Sequence, residues 1–133
     1  MPGPEAKFAT TLRRSFERTY GKDKYIFQAL AAGPGMTGVP DRYVAAEGRS
    51  CLLELKVEPR KLTPNQKRFI EKDNACGGSS MWASLDPSGE TFTLHVFVYG
   101  DWHEFMIKKI WHGQRWDWDV RKLMSLVPRR TLG

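Results

Sequence analysis

Cysteine is scarce in this chain, with two among 133 residues. Cys51 lies inside an apolar run and Cys76 stands just before Gly77-Gly78, a placement that makes neither a disulfide framework nor a zinc-ligand spacing. A reducing, cytoplasmic setting is therefore expected. Long apolar runs are missing too. None approaches the roughly 20 residues that span a bilayer, and the Pro2-Gly3-Pro4-Glu5 start has no basic segment followed by an apolar one. The expectation is a soluble protein with no export signal and no membrane partner. Histidine is limited to His95, His103 and His112, without the spacing of a ligand set, which argues against a catalytic or metal-bound histidine. There is neither an internal repeat nor a low-complexity tract.

Basic charge is plentiful. Twenty-one Lys and Arg against 15 Asp and Glu leave a formal charge of +6 and a pI near 9.5. Such a balance favours a polyanionic partner, because each phosphate neutralised releases counterions and adds sequence-independent affinity. The length suits one domain able to bury roughly two-thirds of its unfolded surface.

Along the chain, Pro4 followed by EAKFATTLRRSFERTY predicts a helix closed by Gly21, with Phe8, Leu12, Phe16 and Tyr20 as its buried stripe. KYIFQAL predicts a strand, and the Gly- and Pro-rich AAGPGMTGVP a loop that delivers the chain to Asp41. From Asp41 to Val57 the pattern predicts two strands joined at Glu47-Gly48-Arg49-Ser50, with Gly48 at the first central position of a type II′ turn. Thr63 as N-cap, Pro64 at the first position and Gly77 at the close frame a second helix. SSMWASL and TFTLHVFVY form a hairpin about Asp86-Pro87-Ser88-Gly89, the second strand alternating Phe92, Leu94, Val96 and Val98. The order of helix, three strands, helix and two strands predicts an α/β or α+β domain on one mixed central sheet. Beyond Gly100 lie four of the five tryptophans and a short helix expected from Asp119 to Leu126.

LLELK, residues 52–56, sets a Glu and a Lys two positions apart inside an apolar run. With a turn of Gly48 and Arg49, Tyr43 faces Glu54 and Asp41 faces Lys56, so that Asp41, Glu54 and Lys56 share one side of the hairpin. Val44, Ala46, Cys51, Leu53, Leu55 and Val57 then share the other, buried side. Two carboxylates held side by side repel each other unless a cation lies between them, and oxygen donors suit Mg²⁺ or Mn²⁺. A neighbouring lysine can position a water or stabilise charge on a phosphate. The plainer alternative is a solvated sheet face with a modest salt bridge.

GVPDRYV, a short turn, LLELK and then KLTPNQKRFI resemble the PD-(D/E)XK nuclease superfamily, most closely its VRR-NUC and Holliday-junction-resolvase-like branch. The resemblance runs from about Glu5 to Tyr99. It implies a restriction-endonuclease-like fold with an α-β-β-β-α-β-β core at 1–100, and a Trp-rich basic extension of the same domain at 101–133. It also implies a Mg²⁺- or Mn²⁺-dependent DNA endonuclease acting on branched or Holliday-junction DNA as a homodimer. The alternatives are a nicking or restriction-like nuclease, or a basic nucleic-acid-binding protein that keeps the fold without cutting. By the same resemblance Asp41, Glu54 and the backbone carbonyl of Leu55 hold the metal, Lys56 acts on the attacking water or the phosphate, and a first-helix glutamate completes the site. Glu5 is the candidate for that glutamate and Glu17 the substitute, although an acid in the first turn also complements the helix dipole.

By the same resemblance Gln66 is the helix-borne glutamine of the catalytic set that orients the water or the scissile phosphate, although its spacing also suits a capping box with Thr63. Arg60, Lys61, Lys67, Arg68, Arg14 and Tyr43 are the expected DNA contacts, with Lys7, Arg13 and Arg18 as further candidates. The clustered tryptophans could stack unpaired bases, pack a dimer or extend the core.

Overall fold

The computed structural model describes residues 3–31, 35 and 37–128. Part of the Gly- and Pro-rich loop (32–34 and 36) and the last five residues of the C-terminal extension (129–133) lie outside them. The elements run α1 (Pro4–Tyr20), β1 (Tyr25–Ala29), β2 (Arg42–Ala46), β3 (Arg49–Val57), α2 (Pro64–Ala75), β4 (Ser80–Leu85), β5 (Thr91–Val98), β6 (Asp101–Trp111), β7 (Trp116–Trp118) and α3 (Val120–Ser125). The expected sequence of helix, three strands, helix and two strands is present, and two further strands and a short helix continue it. Among the described residues seven strands form one mixed sheet in the order β1-β2-β3-β4-β5-β6-β7. Within that sheet β3 and β4 pair in parallel and the other neighbours antiparallel, and α2 is the crossover that parallel strands require.

α1 forms because its apolar residues recur on one side, and Phe8, Leu12 and Phe16 are buried to 2% exposure or less. The helix contacts both β1 and β7, the two edges of the sheet, so the sheet curls around it. Met81, Ala83, Phe92, Leu94, Val96 and Ile107 face it from the central strands, while Val120, Leu123 and Met124 of α3 close the same core. α2 covers the opposite face, where Ile70 is buried outside that core and Glu71 accepts a hydrogen bond from Trp102 Nε1 at 3.2 Å.

One expectation needs correction. The β2–β3 turn is Glu47-Gly48, with φ of 56° and 75°. That is the type I′ pattern, in which both central residues take positive φ. The observed register pairs Tyr43 with Leu52 and Arg42 with Leu53, two residues away from the expected pairing of Tyr43 with Glu54. A shift by two leaves every side chain on its expected face, because the strand period is two. Glu47 tolerates its unfavourable φ where Arg121 binds its carboxylate at 2.7 Å. Beyond Gly100, where the sequence predicts only a short helix, β6 and β7 add to the sheet and Trp118 packs in the core against Phe8 and Phe92. Their long stretch of bases and aromatics hides a period-two pattern that only the sheet reveals. No helix among the described residues is long and apolar enough to cross a membrane.

Candidate active site

The corrected register brings the two carboxylates together. The β2–β3 ladder ends at Arg42 and Leu53, and one step further along it sets Asp41 opposite Glu54. Side chains opposite each other in an antiparallel pair lie on the same face. That face is opposite the core, since Leu53 and Leu55 point to α1 and Glu54 and Lys56 alternate with them. Glu54 and Lys56 are nonetheless buried, and Lys56 Nζ lies 3.7 Å from Glu54 Oε2.

Burial disfavours charge on both acids. Burial and then the charge of Asp41 push Glu54 up to about 7, and Lys56 pulls against them. Asp41 is raised as well, by burial first, with Arg42 as the largest opposing influence. Among the described residues, Asp41 Oδ1 and Glu54 Oε1 are buried without any hydrogen-bond partner. An orphaned acceptor in a protein interior is costly unless a proton, water or cation meets it. Two such hard oxygens at one end of the β2–β3 pair fit a cation of the Mg²⁺ or Mn²⁺ class.

The backbone offers a third donor. Leu52 N–H bonds to Ser79 and Glu58 N–H to Leu85, so even-numbered residues of β3 direct their peptide groups to β4. Leu55 directs its carbonyl the other way, to the side that β2 has already left. Glu5 lies close enough for its charge to raise Asp41, yet its carboxylate is bound by Arg60 Nη1 at 2.7 and 2.8 Å. Glu17 pairs with Arg13 at 3.9 Å. Among the described residues no third His, Cys, Asp or Glu joins the Asp41 and Glu54 carboxylates in a metal-binding cluster.

Gln66 occupies the capping box: its Oε1 accepts from Thr63 N–H at 2.9 Å and its own N–H donates to Thr63 Oγ1 at 3.2 Å. The start of α2 nevertheless abuts the loop before Asp41. A Cβ on Gly38, whose φ is +85°, would stand 2.5 Å from Asn65 O and 3.2 Å from Gln66 N. Only glycine permits that approach, which seats the first turn of α2 beside the segment that leads through Asp41 into β2. Lys61, Lys67, Arg68 and Arg14 are exposed and Tyr43 half-buried. Arg68 bonds to Asn65, and Arg60 is exposed although paired to Glu5.

Sequence reasoning missed Arg42 and the row beside Glu54. Arg42 Nη1 reaches Asp41 Oδ2 at 3.1 Å and Asp41 O at 3.0 Å. Its place next to Asp41 in PDRY was the available signal. Across the sheet, Glu54 aligns with Trp82, Trp82 with His95 and His95 with Glu104. The Trp82 and His95 rings stack at 3.8 Å. His95 Nε2 is 2.9 Å from Ser84 Oγ and Nδ1 is 3.5 Å from Glu104 Oε1. Burial lowers the pKa of His95 and Glu104 opposes that shift. Alternation along each strand was legible in the sequence, but the cross-strand register that assembles the row was not.

No protein-family model matches the chain, and no curated protein matches it. Among solved structures, it is similar to Hjc of Archaeoglobus fulgidus, a Holliday junction resolvase from an archaeal hyperthermophile. The two are 13% identical, with a TM-score of 0.46 over 90% of this chain and 94% of that one.

Proposed function

We propose that the protein is a divalent-metal-dependent nuclease that hydrolyses phosphodiester bonds in DNA. The observation that carries the reading is the pair of buried, unpartnered oxygens on Asp41 and Glu54 beside a buried Lys56. Asp41, Glu54 and the Leu55 carbonyl would hold Mg²⁺ or Mn²⁺, with Glu5 as a further donor once released by Arg60. When bound, such an ion supplies Lewis-acid activation and neutralises charge on the phosphate.

The remaining work falls to the chain itself. Lys56, buried with its Nζ 3.7 Å from Glu54, lies where negative charge grows on the phosphate oxygens as a water displaces the 3′ oxygen in line. Glu54 is partly protonated near neutrality, so loading the site displaces a proton. Arg42 restrains Asp41 and keeps two like charges from meeting unscreened. Arg60, Lys61, Lys67, Arg68, Arg14 and Tyr43 are the proposed contacts to the nucleic acid. From the motif resemblance, branched or junction DNA is the proposed substrate and a homodimer the proposed assembly. A single domain, with the chain from 101 onward extending the nuclease core, and a cytoplasmic setting belong to the same reading.

A second reading, a basic binding protein that does not cut, is favoured by the Arg42–Asp41 and Arg60–Glu5 pairs, which occupy donors a metal site would use. One experiment separates the two. Labelled four-way junction, flap, duplex and single-stranded DNA are incubated with Mg²⁺, Mn²⁺ or EDTA and wild type, Glu54→Gln or Lys56→Met. Metal-dependent cutting that both substitutions abolish is the expected result. Binding without cutting, equal in all three proteins, would leave only the second reading.

A further inference from the structure

We infer that Trp111 and Trp116, with the cations beside them, form a binding site for an unpaired segment of nucleic acid. This deepens the nuclease reading and rests on it for the course of the strand. The two residues pair across the end of the β6–β7 hairpin, with ring centroids 5.4 Å apart and planes at 53°. They are 53% and 60% exposed, so two large aromatic surfaces remain in water although Trp118, two residues on, is buried. Trp116 borders a recess of about 110 Å³ that also receives Arg14, Arg18 and Lys109. Among the described residues the one carboxylate in its lining, Asp117, is buried and bound by Arg18 at 2.7 Å. Arg14 makes no ion pair among the described residues.

Charge selects the occupant. A second copy of this chain would bring like charge, at +6 per chain, to an already basic surface. A single strand brings phosphates for the cations and free base faces for the indoles, whereas a duplex hides its base faces within the stack. The site also has a path to the carboxylates. Lys7, Thr11, Arg14 and Arg18 follow one another at the four- and three-residue spacing of a single helix side, and Arg14 stands about 14 Å along α1 from Glu5 at the usual helix rise.

The test measures binding to full-length protein in EDTA, by fluorescence anisotropy of a labelled oligothymidylate and of a labelled duplex. The Trp111→Ala/Trp116→Ala variant should lose single-strand affinity about ten- to a hundredfold while duplex affinity holds, and Trp116→Phe should retain most of the single-strand affinity. Circular dichroism checks that each variant folds. Unchanged single-strand affinity, or equal loss for both DNA forms, would overturn the site. So would a wild-type dimer in sedimentation that the double variant dissociates, since the occupant would then be a second copy. Because EDTA removes cutting from the assay, absence of cleavage would count against the nuclease reading alone, and Trp-independent binding against this inference alone.

Discussion

At the scale of single residues, the site is governed by what burial does to Glu54. A carboxyl raised from 4.5 to about 7 in the folded protein binds more protons than in the unfolded chain between those values. Its contribution to stability is therefore full below about pH 4.5 and is lost as pH rises to about 7. In EDTA, the melting temperature of the wild type should fall across that window more than that of Glu54→Gln. Mg²⁺ or Mn²⁺ should offset the fall, since a cation stabilises the deprotonated form. A melting temperature that metal does not move at pH 8 would contradict the fit of the two carboxylates to a cation. The same burial makes Cys51, pushed up to about 12, an inert core thiol.

At the scale of elements, the first turn of α2 is where two roles for one side chain meet. Thr63 and Gln66 close a capping box, and Thr63→Ala should cost about 1 kcal/mol of stability by losing the cap. If Gln66 serves only the cap, Thr63→Ala and Gln66→Ala should lower the melting temperature alike and leave the cutting of any cleaved DNA alike. If Gln66 also meets substrate, only Gln66→Ala should slow cutting beyond what its lost stability explains. Gly38→Ala acts on the same junction from the other side. Its Cβ would collide with the Asn65 carbonyl, and its φ of +85° disfavours any side chain. The variant should lose about 1 to 3 kcal/mol in denaturant unfolding, and it should lose more activity than an equally destabilised core variant, because α2 must move relative to Asp41.

At the scale of the whole molecule, the sheet curls until β7 reaches α1, and the chain beyond Gly100 becomes part of the same core. Trp118 is 3% exposed against Phe8 and Phe92, and its main-chain N–H donates to Ser15 Oγ at 2.9 Å. Removing residues 101–128 would uncover the face of α1 and β5 that Ile107, Trp118, Leu123 and Met124 cover. The truncated chain should fail to show a cooperative thermal transition. Trp118→Ala in the full chain should cost about 3 to 5 kcal/mol, read by chemical denaturation. By contrast, Trp111→Ala should leave stability nearly unchanged, since that side chain is exposed.

Local chemistry was enough to read the first two helices, their caps and the first five strands, since each rests on neighbours in sequence. The stripe of Phe8, Leu12 and Phe16, the Thr63 cap and the alternation of LLELK are of this kind. So was the shared face of Asp41, Glu54 and Lys56, because a register error of two residues cannot turn a side chain over. Tertiary structure alone decided the rest. It set Asp41 opposite Glu54, tied Glu5 to Arg60 and Asp41 to Arg42, lined Trp82 and His95 up beside Glu54, and buried Trp118 while leaving Trp111 and Trp116 in water. Each of these depends on which strand lies next to which and in what register. Those are energies of pairing between residues far apart in the chain, and no spacing along it records them.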